Sequence, residues 1–165
     1  MKPIIYFLII ALFSLILITC DEEGDGGGTT YYTMIFTAAG VGDETFQTDS
    51  MNGFSDAGTY WDSRWHRENE SDIYCTLRLP ISVTAGAIYD NDNLVDSFLF
   101  MYTTTDLNTY EVTVAGGCTF SLTVTSWGGS EGTVTGTFSG VLIKSSGSGA
   151  ATIDISGGEF ISSIQ

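Results

Sequence analysis

Alternating apolar and polar positions dominate the chain from residue 31 onward. The clearest stretches are "DIYCTLRL" (72–79) and "CTFSLTVTSW" (118–127). Mainly polar side chains alternate there with the apolar residues Ile73, Cys75, Leu77 and Leu79, and with Cys118, Phe120, Leu122 and Val124. A period of two is typical of a strand with one buried face. Weaker alternation predicts further strands in "YYTMIFTA", "ISVTAGAIY", "SFLFMYTTT", "TYEVTV", "GTVTGTFSGVLI" and "ATIDIS".

Turn-forming residues separate these stretches, as in "DNDN", "VAGG", "WGGSEG", "SSGSG" and "SGGEF". Gly, Asn, Asp and Ser favour turns, and no long amphipathic helical pattern occurs. The pattern therefore predicts one all-β domain over 31–165, either a single antiparallel β-sandwich or a closed barrel of about eight strands. We interpret "DNDNLVD" (90–96) as a turn and expect no metal site there.

The N-terminus carries a different pattern, a mainly apolar run from Ile4 to Ile18 behind Lys2. This layout is typical of a secretory signal, although an uncleaved membrane anchor is the alternative, since about 20 apolar residues cross a bilayer. The run ends in "LITC" followed by "DEEGD" and resembles the lipobox of bacterial lipoproteins. The resemblance implies cleavage of a signal peptide at 1–19 and a lipid on the thiol of Cys20.

Acidic residues follow Cys20 directly, namely Asp21, Glu22, Glu23 and Asp25. They are similar to the export signal of Bacteroidetes lipoproteins, which implies an outer membrane lipoprotein at the cell surface or facing the periplasm. In an enterobacterial setting, an acid directly after the cysteine implies retention at the inner membrane. The glycine-rich remainder of 20–30 is typical of a flexible tether.

Loss of residues 1–19 would leave four Lys and Arg against 20 Asp and Glu, a formal charge of −16. Such a surface repels phosphates, so we expect no nucleic acid partner. We expect no cofactor. The expected partners are the membrane, through the lipid on Cys20, and a glycan or protein ligand.

The other two cysteines, Cys75 and Cys118, are in phase with the apolar positions of their own stretches. Both should point into the core, where an oxidising compartment would favour a disulfide between them. The alternative is two buried free thiols that act as small hydrophobic residues. No tryptophan lies between them, which argues against an immunoglobulin topology.

The C-terminal part, with "GTVTGTFSGVLI" and "ATIDISGGEF", resembles the ending of uncharacterised Bacteroidetes surface-lipoprotein β domains. The matching positions are Gly136, Phe138, Ser139, Gly140 and Leu142, then Ile155, Gly158 and Phe160. Glycines inside a strand mark bends or close backbone approach, which is what we expect of Gly136 and Gly140. The resemblance implies no catalytic residue.

The stretch "YWDSRWHRENE" (60–70) holds two tryptophans, two arginines and the only histidine. As a strand it places Trp61, Ser63, Trp65 and Arg67 on one face, and as a helical turn it again brings the two tryptophans together. Trp61 and Trp65 beside Arg67 could form a platform for a sugar ring. The alternative is that the tryptophans cover the core and the charged residues are solvated.

Catalytic signals are weak. A Ser-His-Asp arrangement would have to use His66, no "GxSxG" surrounds a serine, and zinc sites usually need more His and Cys ligands. We therefore expect a non-enzymatic interaction or structural module. The alternatives are a glycan-binding accessory lipoprotein that uses Trp61 and Trp65, and a small hydrolase centred on His66.

Overall fold

A computed structural model describes residues 33–163 apart from 41–43, 50, 57, 68, 93, 115, 130 and 131. The lipobox-like segment, Cys20 and the acidic tether lie outside these residues. The described part of the chain contains eleven strands and no helix. The strands are β1 (Thr33–Ala39), β2 (Glu44–Thr48), β3 (Met51–Asp56), β4 (Tyr60–Arg67), β5 (Glu70–Pro80), β6 (Ile88–Asp90), β7 (Leu99–Thr103), β8 (Thr109–Glu111), β9 (Ser121–Trp127), β10 (Thr133–Ser146) and β11 (Thr152–Ser163).

The strands form one antiparallel sheet in the order β2-β1-β11-β10-β8-β7-β5-β4-β3, with β9 attached to β10 and β6 attached to β9. The sheet curls until it is nearly closed into a barrel of eight strands. Closure of this kind leaves few exposed strand edges. The predicted all-β class is confirmed, and the architecture is that of the barrel.

Strand β10 is the branch point of the sheet. It pairs with β11 on one side, and on the other side its first half pairs with β9 and its second half with β8. β10 changes partner from β9 to β8 around Gly140, which has a φ of +124°. The register of β10 with β11 also shifts between Phe138 and Gly140. A Cβ at Gly140 would lie 2.4 Å from the backbone oxygen of Thr119, and one at Gly136 would lie 2.6 Å from that of Thr123. The predicted close approach at both glycines is confirmed.

The barrel interior is filled largely by aromatic rings. Phe36 stacks on Phe46 at a centroid distance of 5.0 Å, and Phe100 stacks on Phe120 at 4.6 Å. Such pairs contribute about 0.5–1.5 kcal/mol each beyond their burial. The apolar positions of "DIYCTLRL" are all buried as the alternation predicts, namely Ile73, Cys75, Leu77 and Leu79.

Arg67 spans the seam between β4 and β2. Its Nη2 atom donates to the carbonyl oxygen of Thr45 at 3.1 Å and lies 3.6 Å from Glu44 Oε1. The Glu44 carboxylate also accepts hydrogen bonds from the Tyr102 hydroxyl and, at 2.8 Å, from Thr105 Oγ1. These contacts tie the edge strand β2 to three other segments, so the seam is held by polar groups rather than by strand pairing.

Candidate functional site

Strand β4 separates the residues of "YWDSRWHRENE" into two faces with different surroundings. Trp65 is fully buried and Trp61 is 6% exposed, and both point into the barrel. Trp61 packs against Trp127, with ring centroids 4.9 Å apart, rather than lying open beside Trp65. A stacking platform requires exposed ring faces, and these two rings present none.

Arg67, the third member of the predicted platform, shares the tryptophan face as the alternation requires. Its guanidinium is engaged by Glu44 and Thr45 on β2, and its Nη1 lies 3.7 Å from Glu70 Oε2. The side chain is therefore a structural tie across the seam. The partners that draw it inward lie on β2, about twenty residues earlier in the chain.

The opposite face of β4 points outward and pairs with the outward face of β5. Asp62 lies across from Arg78. Each Asp62 carboxylate oxygen accepts one hydrogen bond of 2.8 Å, Oδ1 from Arg78 Nε and Oδ2 from Arg78 Nη2. A bidentate pair of this kind fixes both side chains in one plane. The Arg78 guanidinium also lies 3.9 Å from the centroid of the Tyr60 ring, which adds a cation–π contact. The hydrogen bond to Asp62 raises the pKa of Arg78.

Further along the same face, Arg64 and His66 flank the ring of Tyr74. The Arg64 guanidinium carbon lies 5.0 Å from the Tyr74 centroid, and the His66 ring lies 5.8 Å from it. His66 Nδ1 is 2.9 Å from the carbonyl oxygen of Ser71, so this nitrogen carries the proton and donates it there. Among the described residues, no hydrogen bond involves the other ring nitrogen, Nε2.

Thr76 lies on β5 between Tyr74 and Arg78. It is across from Arg64 on β4 and from Met101 on β7. Its side chain is buried, and its hydroxyl has no hydrogen-bond partner among the described residues.

We name this surface the outer-face cluster. It is the one place where the described residues gather arginine, histidine and tyrosine side chains: Tyr60, Asp62, Arg64, His66, Tyr74 and Arg78. Arg64 is exposed, and no salt bridge involves it within the described part of the chain. The sequence analysis singled out residues 60–70, but it placed the candidate ligand platform on the face of Trp61 and Trp65. The signal for the outer face was present in the alternation of Asp62, Arg64 and His66.

Cys75 and Cys118 are free thiols in the structure, and both are buried. Cys75 lies across from Trp65 on one side and Tyr102 on the other, whereas Cys118 precedes β9, and β5 and β9 do not pair. The predicted disulfide is therefore not seen, and the arrangement is that of the alternative. Burial raises the pKa of the Cys75 thiol, so this group is a poor nucleophile in the folded chain.

His66 forms one hydrogen bond through its ring within the described residues. One ring nitrogen is taken by the Ser71 carbonyl, and no hydrogen bond joins the ring to a serine, cysteine or carboxylate side chain within the described residues. No group of three or more His, Cys, Asp or Glu side chains in the same residues could hold a metal ion. In "DNDNLVD" the amide of Asp92 donates to Asp90 Oδ1 at 3.0 Å, which is the geometry of a turn.

Comparisons of the chain with protein-family models, with curated proteins and with solved structures found no match. Among residues 33–163, within the described ranges, no helix is long and apolar enough to cross a membrane.

Proposed function

We propose that the protein is a lipid-anchored, extracytoplasmic β domain that acts as a non-enzymatic interaction module. One observation carries the anchor: Cys20 ends the apolar run and is followed at once by acidic residues. A single acyl chain holds a protein only weakly, whereas two or three chains, at about 0.8 kcal/mol per buried methylene, give stable anchoring. Lipidation of Cys20 therefore accounts for a thiol at that position.

The acidic residues behind Cys20 support an outer membrane location, at the cell surface or facing the periplasm. The glycine-rich tether would let the barrel stand away from the headgroups, which a binding module requires. The formal charge of −16 for the processed chain would also keep it off anionic lipid surfaces.

A binding role is favoured over catalysis by the chemistry of the described surface. The groups with the greatest capacity for recognition lie on the outward face of β4 and β5, and no hydrogen bond joins His66 to a side-chain nucleophile among the described residues. Exposed groups of tyrosine, arginine and aspartate suit ligand contact through stacking and hydrogen bonds.

Glycan recognition is the second candidate, now through the outer-face cluster instead of Trp61 and Trp65. The observation that favours it is the bidentate pair of Asp62 and Arg78 beside the Tyr60 ring. Carboxylate and guanidinium groups can serve the paired hydroxyls of a sugar, and tyrosine rings can cover its apolar face.

Replacement of Cys20 tests the anchor. Cys20→Ala removes the only atom to which the lipid can be joined in this scheme, so the variant should remain unprocessed or be released. We expect labelled palmitate to enter the parent and not the variant when both are expressed in a bacterial host. Cys118→Ala is the matched control, since it removes a thiol that lies in the described barrel, and it should label as the parent does. Equal labelling of parent and Cys20→Ala would contradict the proposal.

A further inference from the structure

We infer that the outer-face cluster binds a saccharide that carries isolated carboxylates on an otherwise neutral chain, with the ligand carboxylate on Arg64. This inference rests on the proposal that the domain is an interaction module, and it does not depend on the lipid anchor. Three features of the face support it, together with the charge of the whole chain.

Arg64 supplies the anion-binding element. It is exposed, and within the described residues no carboxylate forms a salt bridge with it, although the chain contains 20 Asp and Glu. The other two arginines are occupied, Arg67 by Glu44 and Glu70, and Arg78 by Asp62. A planar guanidinium matches a carboxylate in a bidentate geometry, so a ligand carboxylate is the natural partner of Arg64.

Asp62 and Arg78 supply hydrogen-bond acceptors and donors for the neutral hydroxyl groups of a sugar. Their side chains are 28% and 27% exposed, so the pair is reachable from solvent. Each Asp62 oxygen accepts one bond from Arg78, and Nη1 of Arg78 is not part of the bidentate contact. The pair therefore has a spare donor and spare lone pairs side by side, which suits vicinal hydroxyl groups of a sugar.

Tyr74 and His66 supply a surface for the sugar ring. Both are half-buried, with ring centroids 5.8 Å apart, and they lie directly across from each other on β5 and β4. Both rings lie on the same outward face as Arg64, whose guanidinium carbon is 5.0 Å from the Tyr74 centroid.

The charge of the whole chain determines which acidic saccharides fit. A domain with a formal charge near −16 repels a dense polyanion at long range. At physiological salt the Debye length is about 8 Å, so a single carboxylate close to Arg64 experiences mainly the local guanidinium. Sparse carboxylates on a neutral backbone avoid the repulsion and keep the local attraction.

Affinity electrophoresis of the full chain in mild non-ionic detergent tests this inference. Gels would contain glucuronoxylan, whose neutral backbone carries sparse uronic acids, or arabinoxylan, which has the same backbone without them, or polygalacturonate. We expect the glucuronoxylan gel to retard the parent, with an apparent affinity at least about fivefold above that for arabinoxylan or polygalacturonate. Higher salt should reduce the difference.

Arg64→Gln and Lys144→Gln form the matched pair of variants, since each removes one positive charge from a strand, and only the first removes it from the outer-face cluster. Arg64→Gln should lose about tenfold or more in affinity for glucuronoxylan, and Lys144→Gln should bind as the parent does. Urea unfolding of both variants checks that the fold is kept.

The inference is overturned if glucuronoxylan does not retard the parent, if all three polymers bind alike, or if Arg64→Gln binds as well as Lys144→Gln. Palmitate labelling measures lipidation of Cys20 independently of saccharide binding. Labelling without retardation would reject the saccharide site alone, and retardation without labelling would reject the anchor alone.

Discussion

Trp65→Ala should destabilise the barrel by about 3–5 kcal/mol. The ring is fully buried, so its removal loses apolar burial and leaves a cavity that the surrounding strands cannot fill. Urea unfolding of the full chain, followed by far-ultraviolet circular dichroism, would measure the loss. A stability within about 0.5 kcal/mol of the parent would show that the ring is in fact solvent-exposed.

Two companion variants make this result specific. Trp65→Phe should lose much less stability, because the Trp65 Nε1 donor has no hydrogen-bond partner among the described residues and phenylalanine discards no bond. Arg64→Ala, the exposed neighbour on the opposite face, should stay within about 0.5 kcal/mol of the parent. If Trp65→Ala yields no folded protein, the ordering of the other two still tests the assignment of faces.

Gly140→Ala should be the second severe change, at about 3 kcal/mol or more. The positive φ disfavours any side chain, and the added Cβ would lie 2.4 Å from Thr119 O and 2.7 Å from Phe120 Cα. Backbone atoms cannot move aside as a flexible side chain can. The expected result is a large drop in the urea midpoint, with loss of the branch between β9 and β8.

Gly116→Ala is the control for Gly140→Ala. No heavy atom lies within 4 Å of the position of its Cβ, and its φ is not positive. The substitution should therefore be neutral or stabilise the protein by up to about 1 kcal/mol, because alanine lowers the conformational entropy of the unfolded chain. Equal effects at the two glycines would contradict the close approach at the branch point.

The strength of each pattern decided how much of the fold the sequence could predict. "DIYCTLRL" alternates without interruption, and β5 buries the predicted side. "ISVTAGAIY" alternates weakly, and in the structure only its end forms a strand, β6 at Ile88–Asp90. The short strands β2 and β3 fell between the predicted stretches. "ETFQT" in β2 has one large apolar side chain, Phe46, which is too few to establish a period.

The candidate site shows a similar limit, which arises from contacts that are distant in sequence. Alternation predicted that Trp61, Trp65 and Arg67 share a face, but it could not predict that this face is inside. An arginine on the inner face is tolerated because Glu44 and Thr45 meet it from β2. The pairing of Asp62 with Arg78 likewise follows from the β4–β5 register and is not visible in the sequence of either strand alone.

The central claim, a lipid on Cys20 that holds this barrel at a membrane, is tested most directly by the N-terminal peptide of the membrane-extracted protein. Mass spectrometry after proteolysis should find a peptide that begins at Cys20, with a diacylglyceryl group on sulfur and no residue from 1–19. A peptide that contains unmodified Cys20 joined to Thr19, with no lipidated form present, would contradict the claim.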